Sequence, residues 1–154
     1  MTTAKNDTRA AFELPTQAQL ESAARWVQGF AERWNPLDPE RLRDLMHPDT
    51  RNTIPPMTEP ADREGVIAHF VRTKERVPDL VLQVERWAAT GDTVFVEWCA
   101  RATVAGRALT WRGIDRVRLR DGRTYEGEAH WDTRRVAELV SEAMAAAASG
   151  TSPR

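Results

Sequence analysis

The sequence has a single cysteine, no long apolar run and no excess of either charge, and each absence excludes a class of protein. One cysteine, Cys99, excludes an internal disulfide and a cysteine-rich metal site. The 22 basic and 23 acidic residues include only two lysines, Lys5 and Lys74, and the arginines are interspersed with acids. The chain therefore lacks the basic stripe of a nucleic-acid-binding protein.

The chain also lacks the hydrophobic segments that membranes and secretion require. No apolar run is long enough to cross a bilayer, and residues 1–16 have no apolar stretch of the kind found in signal peptides. We therefore expect a cytoplasmic protein without a membrane partner. Its 154 residues suit one domain at 17–140, with a flexible tail at 1–16 and a frayed tail at 141–154.

The first half of the chain has the periodicity of helices. Apolar residues recur at helical spacing in three segments, two of which open on aspartates, Asp38 and Asp62, that suit the N-cap position. The predicted helices run from Gln17 to Trp34, from Asp38 to His47 and from Asp62 to near Pro78, with a short strand from Thr50 to Ile54.

After Asp79 the pattern changes to that of strands. Four stretches rich in Val, Leu, Thr and Trp are separated by the turn-forming pairs at 91–92, 105–106 and 121–122, which predicts an antiparallel meander. A final helix follows from Arg134. Helices followed by a sheet predict an α+β fold, a cone in which the N-terminal helices pack in the concave face of a curved antiparallel sheet.

The stretch from Leu109 to Thr133 contains an acid, Asp115, on an apolar strand face. A three-residue loop at 121–123 is favoured over a two-residue turn because it brings opposite charges together across the hairpin. The resulting register pairs Arg118 with Glu126, Arg116 with Glu128 and Asp115 with Ala129. The small side chain of Ala129 leaves room beside the acid, so Asp115 is the strongest candidate for a site residue.

Two interpretations of Asp115 remain open. Burial would raise the pKa of its carboxyl group and let it donate a proton or hydrogen bond to a bound carbonyl or hydroxyl. Alternatively, the acid is structural and pairs with Arg112 or with the backbone.

Six tryptophans are a high count for a chain of this length, and they also allow two interpretations. They line a flat apolar cavity, or they fill the core and a dimer interface. Asn52 either contributes a polar group to the cavity wall or makes a hydrogen bond at the end of its strand. Three aromatic residues fall on the same strand face as Asp115 and are expected to line the cavity: Trp111, Tyr125 and Trp131.

The three histidines and the cysteine do not form a reactive site in the sequence. His47, His69 and His130 lack the spacing of metal ligands, so we assign them surface or helix-cap roles. Cys99 has no adjacent base. We therefore expect neither a metal nor a cofactor.

The order of elements, with GIDRVRLRDGR leading to EGEAHWD, resembles the SnoaL-like (polyketide cyclase-like) branch of the nuclear-transport-factor-two-like superfamily over residues 20–139. That superfamily includes polyketide cyclases, limonene epoxide hydrolases, ketosteroid isomerases, scytalone dehydratases and non-catalytic binding modules, so the fold alone selects no chemistry. The resemblance also implies a homodimer through the outer, charged sheet face, which is otherwise a solvated surface.

The acids of the hydrolases and cyclases have no counterpart in this chain. The hydrolase arginine and aspartate on a central strand fall on Trp98 and Ala100, and the aspartate of the last strand falls on Ala129. The tyrosine and asparagine that hold the attacking water fall on Asn52 and Ile54. Cyclases use the same last-strand aspartate, so Ala129 argues against their mechanism too.

Ketosteroid isomerases give the closest local likeness. Their oxyanion-hole aspartate has an Ile-Asp-x-x-Arg context like that of Asp115, which is also where the pocket histidine of the cyclases falls. Their general base falls on Ile54 and their tyrosine on or near Phe30, so the base is missing. The resemblance adds to the candidate cavity wall Phe30, Ile54, Trp98 and Ala129.

These observations predict a pocket that binds a small apolar cyclic molecule, polyketide-, steroid- or terpenoid-like, with Asp115 as its polar anchor. If the protein is an enzyme, a cofactor-independent isomerase, cyclase or dehydratase fits best. The alternative is a non-catalytic dimeric module that binds a ligand or a protein, and a third is a dimerisation fold whose interior is filled by tryptophan. An open cavity that reaches Asp115 favours the first over the third.

Overall fold

Four helices and a five-stranded sheet make up residues 13–150, which a computed structural model describes. The elements in chain order are α1 (Gln17–Arg33), α2 (Pro39–Arg43), β1 (Met46–Thr53), α3 (Arg63–Arg76), β2 (Val81–Thr90), β3 (Thr93–Val104), β4 (Arg107–Arg120), β5 (Arg123–Trp131) and α4 (Thr133–Ala148). Among these residues no helix is both long and apolar enough to cross a membrane.

The sheet has the order β1-β5-β4-β3-β2, and β2 to β5 form the predicted antiparallel meander. The curved sheet is mixed, because β1 runs parallel to β5. The sheet does not close on itself, and the predicted α+β cone is confirmed. The prediction of a purely antiparallel sheet was wrong at β1, whose partner a sequence pattern does not reveal.

Capping residues set the helix starts that the sequence predicts. Asp38 and Asp62 accept hydrogen bonds from the backbone amides of Arg41 and Gly65, and Thr16 forms a capping box with Gln19 at the start of α1. The second helix ends at Arg43, earlier than predicted, and β1 begins at Met46 and runs through Pro48. Proline is tolerated there because β1 is an edge strand.

The predicted pairs of the β4–β5 hairpin are confirmed: Arg118 with Glu126, Arg116 with Glu128 and Asp115 with Ala129. The loop differs from the prediction. Asp121 and Gly122, with φ of 51° and 71°, form a two-residue turn of the primed kind that suits strand twist. The register shifts next to Leu119, and Tyr125 becomes the extra residue of a bulge. The arginine–glutamate pairs therefore arise from a two-residue turn followed by a bulge, and not from the three-residue loop that the sequence predicts.

Aromatic residues of α1 and of its C-cap position pack against one another along the interior of the cone. Trp26 stacks on Phe30 at 5.1 Å, and Phe30 lies 5.9 Å from Trp34. The Trp26 indole Nε1 donates to Thr124 Oγ1 at 3.0 Å, close to the β4–β5 turn. We call the part of the interior around Trp26 and Thr124 the closed end. The Trp34 side chain lies at the other end.

The tails predicted at the two termini fall partly outside the described residues. Residues 1–12 and 151–154 lie beyond them. Glu13 is tied to the β2–β3 turn, because its carbonyl accepts from the amide of Gly91 at 2.8 Å. At the other end, α4 continues to Ala148, past residue 141 where we expected fraying, and it buries Ala143.

Candidate ligand-binding site

A cavity of about 330 Å³ lies between α3 and the sheet, at the opposite end of the strands from the closed end. We call this region the open end. Its volume falls within the range of roughly 300–1,000 Å³ typical of small-molecule sites. The sheet side of the cavity consists of Leu82, Trp98, Trp111, Asp115, Ala129 and Trp131. The other side includes Trp34, His69, Phe70, Thr73, Arg76 and Val77.

Asp115 lies in the wall of this cavity and has no cation beside it among residues 13–150. The Trp98 indole Nε1 donates to Asp115 Oδ1 at 2.9 Å. Burial raises the pKa of Asp115 from 3.8 to about 7, and the hydrogen bond from Trp98 opposes that rise only in part. A large share of the Asp115 carboxyl groups is therefore protonated near neutral pH and can donate a hydrogen bond into the cavity.

Arg112, the structural partner considered for Asp115, is paired elsewhere. Its Nε and Nη2 atoms donate to the two carboxylate oxygens of Glu85, both at 3.1 Å. This bidentate pair lowers the pKa of Glu85, and Trp98 is left as the one side-chain partner of Asp115 among the residues that the structure describes. The structure therefore favours the cavity interpretation of Asp115.

Gly113 makes the contact between Trp98 and Asp115 possible. It pairs with Trp98 across β3 and β4, and a Cβ atom at this position would lie 2.4 Å from the indole Cη2 and Cζ2 atoms. The same atom would lie 2.7 Å from the carbonyl oxygen of His130. Because Gly113 has no side chain, the Trp98 indole lies across β4 and reaches the acid two residues further on.

Six of the nine predicted site residues line the cavity. Trp98 and Trp131 form an edge-to-face pair with ring centroids 6.0 Å apart. Together they give the site a flat, largely apolar sheet wall. The predicted residues that the structure brings together are Ile54, Trp98, Trp111, Asp115, Ala129 and Trp131.

The other three predicted residues, Asn52, Phe30 and Tyr125, lie away from the cavity wall. Asn52 donates to Thr50 Oγ1 at 2.9 Å and occupies the space left by Gly127 on β5. Phe30 is part of the aromatic core. The guanidinium carbon of Arg120 lies 3.4 Å from the centroid of the Tyr125 ring, a cation–π contact on the bulge.

Helix α3 contributes polar residues that the sequence analysis missed. His69, Thr73 and Arg76 follow one another at intervals of four and three residues, so they form one stripe along the helix, beside the buried Phe70. We had assigned His69 a surface or cap role, and the structure places it in the cavity wall instead. Its position next to Phe70, on the edge of the apolar face of α3, is the signal that points to it.

The indole N–H of Trp34 is buried at the cavity wall and has no acceptor among the residues that the structure describes. A buried donor without a partner is uncommon in proteins and costly in free energy. Within the same residues, no group of three His, Cys, Asp or Glu side chains is placed to hold a metal ion.

Comparison with known proteins identifies the family of this chain. A model of the SnoaL-like domain matches residues 27–127. The solved structure of IdmH from Streptomyces antibioticus, a candidate polyketide cyclase, is 29% identical, with a TM-score of 0.68 over 76% of this chain and 97% of that chain. No curated protein sequence gives a significant match.

Two more distant structures share the fold alone. A candidate polyketide cyclase from Bacillus cereus is 16% identical, with a TM-score of 0.72 over 86% of this chain and 95% of that chain. An epoxide hydrolase of the limonene type from M. tuberculosis is 15% identical, with a TM-score of 0.67 over 82% of this chain and 94% of that chain. One is a candidate cyclase and the other an epoxide hydrolase, so likeness in fold alone does not select a reaction.

Proposed function

Because this chain belongs to the SnoaL-like domain family, we propose that its cavity binds an apolar ring compound with a carbonyl or hydroxyl group. One observation carries the proposal: a carboxyl group without a cation partner in residues 13–150 lies in the wall of a tryptophan-lined cavity of about 330 Å³. The likeness to IdmH, a candidate polyketide cyclase, favours a polyketide-like ligand over a steroid- or terpenoid-like one.

The physical chemistry of the cavity supports this ligand class. An ionised carboxylate in an apolar cavity is costly, so Asp115 holds its proton at a pH where exposed aspartates have lost theirs. Its protonated form donates a hydrogen bond to a carbonyl or hydroxyl oxygen. The flat indoles of Trp98, Trp111 and Trp131 offer contact to a ring system.

As an enzyme, the protein would use Asp115 as a general acid in a cofactor-independent isomerisation, cyclisation or dehydration. A carboxyl group with a pKa near 7 suits proton transfer at neutral pH. Hydrolysis of epoxides by the family mechanism is not part of this proposal, since Trp98, Ala100 and Ala129 stand where the hydrolases carry their charged residues.

Binding of β-tetralone, a bicyclic ketone, and of tetralin, the matching hydrocarbon, tests the proposal. Tryptophan fluorescence reports on both because four tryptophans line the cavity. We expect β-tetralone to bind more tightly, and Asp115→Leu, which keeps the bulk but not the donor, to remove about a tenfold advantage, roughly the value of one hydrogen bond. Asp115→Asn keeps a donor and should retain part of the advantage.

Two results would contradict this function. If neither compound binds at concentrations up to their solubility, the cavity is not a site for such rings. If both bind equally and Asp115→Leu changes neither affinity, the carboxyl group is not the anchor.

A second candidate function is a non-catalytic homodimeric module of the same fold. The outer face of the sheet exposes two large apolar side chains, Phe95 and Ile114, at 40% and 47% of their full surface. They lie on adjacent strands, since Phe95 pairs with Arg116 and Ile114 with Glu97. A symmetric dimer through this face would cover them. Light scattering should then show a dimer that Phe95→Asp together with Ile114→Asp converts to a monomer, whereas a wild-type monomer would refute it.

A further inference from the structure

The cavity has a polar side that faces the acid of the sheet. On α3, His69 and Thr73 line the cavity one turn apart, and Asp115 lines it from β4. The hydroxyl of Thr73 donates to the carbonyl oxygen of His69 at 2.9 Å, so Thr73 is committed to the backbone and the His69 ring remains available. A compound that fills the cavity therefore lies between an imidazole and a carboxyl group.

The imidazole of His69 is in the state that a proton acceptor requires. Its ring nitrogens have no hydrogen-bond partner within residues 13–150, and the side chain is half-buried, with its ring centroid 5.6 Å from that of Phe70. Burial lowers the pKa of His69, and the nearby positive charges of Arg72 and Arg76 lower it further. The ring is therefore neutral at physiological pH and can accept a proton.

The two groups are shifted in opposite directions. Asp115 retains a proton because burial raises its pKa, whereas His69 lacks one because burial and two arginines lower its pKa. Two titratable groups of one cavity whose environments separate them in this way form a natural donor and acceptor. The charged groups around them are Arg72 and Arg76 on α3, while Asp115 is the only acid of the cavity wall within the described residues.

We propose that His69 and Asp115 act as an acid–base pair that enolises a cyclic ketone bound between them. A ring nitrogen of His69 takes a proton from the carbon next to the carbonyl group, and the C–H electron pair becomes the C=C bond of the enol. The carbonyl electron pair moves to oxygen, which accepts the proton or hydrogen bond of Asp115. When His69 returns its proton to a conjugated carbon and the enol oxygen returns its proton to Asp115, the C=O bond re-forms and an isomer results, without any oxidant, reductant or metal. Return of the proton to the same carbon regenerates the ketone.

This inference rests on the proposed binding function and adds its substrate class: ring compounds with an acidic C–H beside a carbonyl group. The sequence predicts a proton donor, Asp115, without a general base, because Ile54 stands where the isomerases of this superfamily carry their aspartate. The structure supplies an acceptor from a different element, the helix α3. Enolisation is also the first step of aldol-type ring closure, so the pair is compatible with cyclase chemistry as well.

Deuterium exchange of β-tetralone in D₂O tests the pair directly, because its benzylic carbon beside the carbonyl carries acidic protons. Proton NMR follows the loss of that signal at saturating protein, and fluorescence gives the affinity separately. We expect the wild type to accelerate exchange and His69→Gln to lower the rate of the bound ketone about a hundredfold or more. The affinity should change less than about threefold, a separation that a merely structural role of His69 would not produce.

A matched histidine serves as the control. His130 lies on the exposed outer face, 3.6 Å from Glu128, and His130→Gln should exchange the probe at the wild-type rate. Exchange at the wild-type rate in His69→Gln, or no acceleration by a wild-type protein that binds β-tetralone, would overturn the acid–base pair while leaving the binding function intact. Failure of the wild type to bind β-tetralone would overturn both.

Discussion

Two tryptophans, Trp26 in α1 and Trp34 at its C-cap, show how the two ends of the cone differ. Both are buried, and the Phe30 ring contacts both indoles. At the closed end the Trp26 N–H is bound by Thr124 at 3.0 Å, whereas at the open end the Trp34 N–H has no acceptor in the described part of the chain. One residue type therefore completes a core at one end and borders a cavity at the other.

The difference extends to the other polar groups of the interior. At the open end Asp115 has one hydrogen-bond partner, and the His69 ring has none among residues 13–150. Buried polar groups are usually satisfied, and leaving one unsatisfied costs about 1–3 kcal/mol. Among residues 13–150 two buried side-chain polar atoms lack a hydrogen-bond partner: Trp34 Nε1 borders the cavity, and Arg63 Nε lies away from its wall. A ligand in the cavity can complete the hydrogen bonds of Trp34, Asp115 and His69.

The largest expected effect comes from emptying the closed end. Trp26→Ala removes a fully packed indole and its hydrogen bond, and we expect it to lower the free energy of unfolding by about 3–5 kcal/mol. Trp111→Ala at the open end should cost less than half as much, because Trp111 is only half-buried and already borders a cavity. Urea unfolding measures both, and equal losses would remove the distinction between the two ends.

The next effect concerns the pH dependence of stability at the open end. The folded state raises the pKa of Asp115 to about 7. Its contribution to stability is therefore complete below the unfolded pKa near 3.8 and is lost as the pH rises through 7. Asp115→Asn stays neutral and keeps an acceptor for Trp98. The variant should become more stable than the wild type by up to about 4 kcal/mol above pH 7.

Unfolding of the two proteins between pH 4 and pH 8.5 measures this effect as a difference, so other titrating groups largely cancel. A difference that does not change with pH would mean that Asp115 has an ordinary pKa and is not enclosed by the cavity wall.

The smallest effect compares the two indole N–H groups themselves. Trp26→Phe leaves Thr124 Oγ1 without its donor and should cost about 1–2 kcal/mol more than Trp34→Phe, which removes an N–H without an acceptor in residues 13–150. Both changes remove similar volume, one from α1 and the other from its C-cap residue. Thermal unfolding of the pair gives the comparison, and a larger loss for Trp34→Phe would show that its N–H is satisfied in solution.

Sequence reasoning reached the hairpin of the site but not its helix. The pairs of Arg116 and Arg118 with glutamates follow from charge and strand period, and these properties are local. His69 is different, because its place in the cavity depends on how far α3 stands from the sheet, which no local pattern encodes. Asn52 shows the same limit: its packing into the space beside Gly127 depends on the parallel partner of β1.

The close contact between Gly113 and the Trp98 indole restricts the residues that homologues can carry at these two positions. Since any side chain at Gly113 would collide with that indole, the glycine at position 113 can be replaced only if the tryptophan at position 98 is replaced as well. The three residues Trp98, Gly113 and Asp115 form a signature that can be recognised in a bare sequence by its spacing. We expect homologues that retain all three to share the protonated acid, and those with a larger residue at the glycine position to have replaced both the tryptophan and the chemistry.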